Sequence, residues 1–141
     1  MAGRFTGQSI ERREDERLLR GAGTFAAATS KAGMAHAMFV RSTHSHARLT
    51  SVDTGEALAI PGVVAVITGA DVQEALTGPM VLLGPPSLKV APFWPLCVDK
   101  VRYVGDPIAI VVAETPAIAA DAAELVDVTY CLLYTSDAAD E

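Results

Sequence analysis

The chain has 141 residues, half of them hydrophobic, with a mean hydropathy of +0.31, a formal net charge of −6 and a pI near 5.0. That length suits one domain and is short for two large ones. A chain of this size can bury about 68–70% of the surface it exposes when unfolded, and its apolar content argues against disorder throughout. The acidic balance argues against a nucleic-acid binder, which needs a basic face to neutralise phosphates.

Residues 1–24 read as an arm. The stretch Glu11-Arg12-Arg13-Glu14-Asp15-Glu16-Arg17 carries dense mixed charge, the mark of a solvated segment or a short helical turn. Gly21 and Gly23 interrupt the chain before Phe25. No long apolar run follows the first residues, so no signal peptide is expected there. No stretch of about 18 apolar residues occurs to span a bilayer. With two cysteines outside any C-x-x-C pattern, the expectation is free thiols and a cytoplasmic location.

Met34 to Arg41 is apolar with few breakers and predicts a strand, and Arg48 to Val52 predicts a shorter one. Asp53-Thr54-Gly55-Glu56 has the spacing of a capping box and predicts a helix of about two turns, stopped by Pro61-Gly62. Val63 to Ile67 is apolar at every position, as in a strand covered on both faces. Thr68-Gly69-Ala70-Asp71 repeats the cap pattern before a helix that Gly78 and Pro79 end. Residues 77–97 hold too many prolines and glycines for a regular element and predict a long loop, with Phe93 and Trp94 near its far end.

Val101 to Tyr103 reads as a short extended piece and Gly105-Asp106-Pro107 as a turn. Ile108 to Ala113 is the strongest strand signal in the chain. Thr115 is placed to cap the next helix with Pro116 at its first position. Ile118, Ala122, Leu125 and Val126 are spaced to form that helix's apolar face. Val126 to Tyr130 returns as a strand. Strands and helices in this order predict an α+β (mixed α/β) layer protein.

Few residues could carry chemistry. No G-x-G-x-x-G or other phosphate-cradling loop is present, and no serine sits in a G-x-S-x-G elbow. His44 and His46 point to one face if the chain is extended, and with Arg48 they could bind a metal or an anion. No carboxylate or thiolate nearby completes a ligand set, so a polar turn is the plainer reading. His36 lies in an apolar strand without a visible orienting partner. Cys97 has only Lys100 nearby to activate it, which favours an inert, structural thiol. Phe93-Trp94 either closes over the core or packs against another domain or subunit.

Several blocks resemble one family. Gly7 to Leu19, Gly33 to Ser42 with His44 to Arg48, Pro61 to Asp71, Asp99 to Ala109 and Ala119 to Val126 follow, in order, the opening of molybdenum hydroxylase large subunits. That family comprises xanthine dehydrogenases, aldehyde oxidases and aerobic carbon monoxide dehydrogenases, and the opening block is most similar to the last branch. The resemblance implies an α/β hammerhead domain over residues 25–130, a mixed sheet with packed helices. It implies a molybdopterin-type cofactor held by domains downstream of this segment, and partner domains or subunits carrying [2Fe-2S] clusters and FAD. The reaction class it implies is hydroxylation of a carbon centre, or CO oxidation, with water supplying the oxygen.

The family's catalytic glutamate and cofactor-binding segments match no residue here. No catalytic, cofactor-binding or metal-ligating residue is therefore assigned, and the segment is expected to be inactive alone. Residues 131–141 depart from the family pattern and read as a non-native tail. Two other readings remain open: a free-standing binding module using the Phe93-Trp94 loop, and a small metal site at His36, His44 and His46.

Overall fold

The computed structural model describes residues 7–26, 29–80 and 92–133. The chain divides into two units, Met1–Ala32 and Gly33–Glu141. In the first, α1 (Asp15–Leu19) is a single short helix with no buried residue. Arg12 pairs with Asp15 at 3.3 Å and Arg20 with Glu16 at 2.8 Å, both on exposed side chains. Such exposed pairs contribute at most about 1 kcal/mol each.

The described residues of the second unit form six strands: β1 (His36–Arg41), β2 (Ala47–Asp53), β3 (Val63–Thr68), β4 (Lys100–Val101), β5 (Pro107–Ala113) and β6 (Asp127–Leu132). Rather than one sheet they form two, each antiparallel and three-stranded, in the orders β1-β5-β3 and β4-β2-β6. The odd-numbered strands make one sheet and the even-numbered strands the other, so the chain changes sheet after every strand. The helices of this unit are α2 (Gly55–Leu58), α3 (Gly69–Ala75) and α4 (Pro116–Glu124). The α+β class expected from the sequence stands.

Local sequence chemistry accounts for the element ends. Thr115 Oγ1 accepts the Ile118 N–H at 3.2 Å, with Pro116 at the first helical position of α4. At α3, the Asp71 carboxylate accepts from the Thr68 N–H and the Thr68 hydroxyl, each at 2.7 Å. These bonds hold the Asp71 carboxyl below its ordinary value, the backbone bond first. At α2 the expected box does not form. Asp53 is the last residue of β2, and its carboxylate reaches only two residues on, to the Gly55 N–H at 2.9 Å. Thr54 sits at the cap instead, and the helix is one turn, not two.

Two further expectations are corrected. Val63 to Ile67 is not covered on both faces: β3 is an edge strand, and at the bulge in its pairing with β5 Val64 is left 62% exposed. On α4 the buried positions are Ala119 and Ala122, followed by Val126, whereas Leu125 is exposed. Ala122 and Val126 of the face read in sequence are buried and Ile118 is half-buried, so Leu125 is the position that departs from it.

One core joins the two sheets. Ala47, Cys97, Val101 and Ile108 form one buried cluster, and Ala57, Val111, Ala122 and Val126 another. Val52 and Val128, opposite one another in β2 and β6, pack against both. Complete burial of Ile108 and of Val111 contributes about 1.5–3 kcal/mol each.

Gly69 lies where α3 meets the 96–98 segment, and a Cβ built on it would collide with the Cys97 backbone carbonyl. Backbone cannot swing aside as a flexible side chain can. Gly69→Ala is therefore expected to lower the free energy of unfolding by about 3 kcal/mol, read as a lower urea midpoint at unchanged slope. A loss within 0.5 kcal/mol, the size of a neutral surface change, would contradict this packing.

Candidate functional site

Ser42 and Asp106 are the buried polar residues among the described residues, at 3% and 6% exposure. Each lies on a connection between the sheets: 42–46 leads from β1 to β2, and 102–106 leads from β4 back to β5. Ser42 N–H donates to the Asp106 carbonyl at 2.9 Å, and Gly105 N–H donates to the Ser42 carbonyl at 2.8 Å. The two connections are thus bonded face to face. Gly105 has φ of +89°, which tightens the turn enough to bring its amide onto Ser42. The Arg41 guanidinium donates to the Gly105 carbonyl at 3.0 Å.

Side chains complete the junction. Asp106 Oδ2 accepts the Arg102 N–H at 2.9 Å. Ser42 Oγ donates to the His44 carbonyl at 2.8 Å and accepts the His44 N–H at 3.0 Å. Cys97 enters from the loop, its N–H donating to the Pro107 carbonyl at 2.8 Å. Burial pushes the Cys97 thiol up to about 12, and the neighbouring Asp106 carboxylate adds to the effect by hydrogen bond and charge. Partial burial first, and Asp106 second, also hold the Tyr103 phenol above its ordinary value. Among the described residues no buried side-chain nitrogen or oxygen lacks a partner. The junction is a closed set of satisfied groups around a protonated thiol. It offers no unpaired base and no nucleophile at neutral pH.

The histidines do not converge. His36 begins β1 opposite Ala113. His44 packs edge-to-face on Tyr130 with ring centroids 4.6 Å apart. The alternation that would align His44 with His46 is broken because the Ser42 hydroxyl closes a turn on His44. Among the described residues no three His, Cys, Asp or Glu side chains are placed to hold one metal ion. The Arg102 cation opposes that rise at the Cys97 thiol, weakly.

Leu96 is fully buried, Trp94 is half-buried and Phe93 stays 39% exposed, its carbonyl accepting the Met80 N–H at 2.8 Å. The part of the loop at 81–91 lies outside the described residues. Phe93, Trp94, Tyr103, Cys97 and Asp106 border a pocket of about 30 Å³, room for about one water molecule. A larger groove of about 210 Å³ runs between Leu49–Val52, Thr68–Ala70 and Cys97–Val98. It falls below the roughly 300–1,000 Å³ of ordinary ligand sites. Along α1, an open groove of about 660 Å³ is lined by residues of the arm that include the Arg12–Asp15 pair. Sequence reasoning noted Asp106 only as a residue before proline and did not single out Ser42 for burial. The available signal was that both lie at the end of an apolar strand beside a turn residue.

The family model described as "Aldehyde oxidase and xanthine dehydrogenase, a/b hammerhead domain" matches residues 20–133. The chain is similar to the 6-hydroxypseudooxynicotine dehydrogenase complex subunit gamma of Paenarthrobacter nicotinovorans, at 43% identity over 89% of this chain and 16% of that protein. It is also similar to the carbon monoxide dehydrogenase large chain of Afipia carboxidovorans, at 41% identity over 85% of this chain and 14% of the relative. Among solved structures, quinoline 2-oxidoreductase from Pseudomonas putida 86 superposes with a TM-score of 0.80 at 41% identity, covering 91% of this chain and 16% of that one. The chain therefore spans a small fraction of the length of the relatives it matches.

The thiol chemistry gives a direct check. At pH 8, iodoacetamide is expected to alkylate exposed Cys131 and leave buried Cys97 untouched until the chain is unfolded in urea. Folding raises the Cys97 pKa above its unfolded value of 9.0. Its contribution to stability is therefore full below about pH 9 and is lost as pH rises toward about 12. Equal labelling of both cysteines in the native state, read by peptide mass spectrometry, would contradict the closed junction.

Proposed function

Because the chain belongs to the aldehyde oxidase and xanthine dehydrogenase hammerhead family, we propose that it is the amino-terminal supporting domain of a molybdenum-dependent hydroxylase large subunit and supplies no catalytic group. The observation that carries this reading is the Ser42–Asp106 junction. The most buried ionisable groups, Asp106 and Cys97, are engaged within it: the Asp106 carboxylate accepts the Arg102 N–H, and burial with Asp106 keeps the Cys97 thiol protonated. In the complete subunit the reacting centre belongs to polypeptide that follows this segment. The domain's part is to hold a rigid two-sheet layer against it.

A molybdopterin-type cofactor, when bound, supplies the redox chemistry of hydroxylation. The pockets of the 33–133 unit do not fit such a group. The smaller, bordered by Arg102 as well as Asp106, holds only about 30 Å³, and the larger is lined by neutral residues with no cation for a phosphate. The cofactor is accordingly assigned to the downstream polypeptide, and [2Fe-2S] and FAD to partner domains or subunits. The whole subunit acts on a carbon centre or on CO, in the cytoplasm.

In this reading residues 1–24 are an arm and 25–130 the hammerhead domain. Residues 131–141 are a non-native tail, whose first two positions, Cys131 and Leu132, complete β6 opposite Arg48 and Ala47. The rival reading, an independent binding module, draws on the 39% exposure of Phe93.

Both readings meet one test. The purified 141-residue chain is expected to carry no molybdenum by plasma mass spectrometry and to reduce no dye with aldehyde, N-heterocycle or CO as donor. Stoichiometric molybdenum with turnover would overturn the supporting role. Saturable binding of one partner that survives deletion of every downstream domain would favour the independent module.

A further inference from the structure

Edge strands carry a row of backbone N–H and C=O groups without partners, and proteins blunt them by shortening, bulging or charging them. The sheet edges among the described residues show all three devices. β4 has only two residues, β3 bulges at Val64 in its pairing with β5, and β1 ends on the Arg41 cation. β6 is the least guarded. Its one charge, Asp127, opens the strand, and Val128 to Leu132 run on uncharged; the irregularity in its pairing lies in β2, between Leu49 and Ser51. Leu133 N–H donates to the His46 carbonyl at 3.2 Å, so residue 133 turns its backbone toward β2. Alternation back along the regular strand turns Cys131 and Thr129 the same way and directs the N–H and C=O of Val128, Tyr130 and Leu132 outward. Among the described residues these outward groups meet no backbone partner. Thr129 and Cys131 are exposed on one face of the strand. Val128 and Tyr130 are half-buried on the other, where Leu132 stays 43% exposed.

We infer that the outer edge of β6 is an association surface whose partner is the β6 of a second copy of this chain, paired antiparallel about Tyr130. The strand's own sequence chooses that occupant. A two-fold axis at Tyr130 sets Val128 opposite Leu132 and Thr129 opposite Cys131 of the second copy, each twice by symmetry. The outward residues Val128, Tyr130 and Leu132 then all fall in hydrogen-bonded pairs, and each pair exchanges two N–H···O=C bonds. Centring the axis on Thr129 or Cys131 instead leaves Leu132 or Val128 unmatched within the strand. On the inner face Val128 covers the exposed Leu132 side chain. Like charges do not meet, because Asp127 stands opposite Leu133 and the pairs between are neutral. The sheets β4-β2-β6 of the two copies become one continuous sheet. The inference goes beyond the proposed supporting role and does not depend on it.

The test uses the 141-residue chain under reducing conditions, which exclude a disulfide through exposed Cys131. One strand pair is a small contact, so sedimentation equilibrium is expected to show the average mass rising from 14.7 kDa toward twice that value at concentrations of the order of 100 µM. Over the same range, amide exchange is expected to slow at Val128, Tyr130 and Leu132 and to stay unchanged at Thr129 and Cys131, which already face β2. Thr129→Lys with Cys131→Lys sets like charges opposite one another where facing side chains come closest, and is expected to weaken association about tenfold or more. Thr129→Lys with Cys131→Glu is expected to restore it. Circular dichroism reports whether each variant keeps the fold, and exchange in the unsubstituted chain decides the matter if one does not. A chain that stays monomeric up to about 1 mM overturns the inference. So does a dimer whose slowed amides lie outside β6, or a folded like-charge variant that associates as well as the parent. Molybdenum content and turnover, which judge the supporting role, are read separately.

Discussion

Two backbone hydrogen bonds, Ser42 N–H to the Asp106 carbonyl and Gly105 N–H to the Ser42 carbonyl, hold the architecture in register. The chain changes sheet after every strand, so nothing in either ladder alone fixes one sheet relative to the other. The junction does so by bonding an outgoing connection to a returning one. Ser42 and Asp106 are buried, so loss of the bond between them would leave a desolvated donor and acceptor at a cost of about 1–3 kcal/mol. Cys97 N–H to the Pro107 carbonyl adds the loop end to the same knot, and Gly69 packs α3 directly onto that segment. The hydrophobic core supplies the larger energy, but it is non-directional. The junction determines which arrangement that energy stabilises.

The same arrangement bears on the proposed supporting role. Groups at functional sites are tuned by burial and charge partners toward a proton-transfer or nucleophilic task. Here desolvation and pairing coincide. Asp106 is tied to the Arg102 amide, and the Cys97 thiol is kept protonated by burial and by Asp106. What the domain presents outward is apolar surface: one face of the β1-β5-β3 sheet and the Phe93 end of the loop. Rigidity inside and apolar surface outside suit a layer that positions other layers.

Much of the fold was legible in the residues. The helix starts at Thr68 and Thr115 were readable because capping is local: a hydroxyl or carboxylate three residues from an amide needs no tertiary help. The strands at 36–41, 63–68 and 107–113 were readable from β-branched and apolar runs. Partition into two sheets was not, since period and propensity do not say which strands pair. The half-exposure of β3 was hidden for the same reason: an apolar run looks alike at an edge and at a centre. Asp53 was misread because Thr54 competes for the cap position one residue on. The junction itself was hidden because its bonds join residues 42 and 106 through main-chain atoms that carry no sequence signature, and the blocks containing them were legible only as a family resemblance.

The claim that this junction is the structural keystone is tested most directly by native-state hydrogen exchange at the amides of Ser42, Gly105 and Cys97. If the sheets depend on it, these amides exchange only through global unfolding, with the same free energy and denaturant dependence as the central β5 amides. Exchange by a local opening several kcal/mol cheaper, while β5 remains protected, would show that the two sheets hold their arrangement without the junction and would contradict the account.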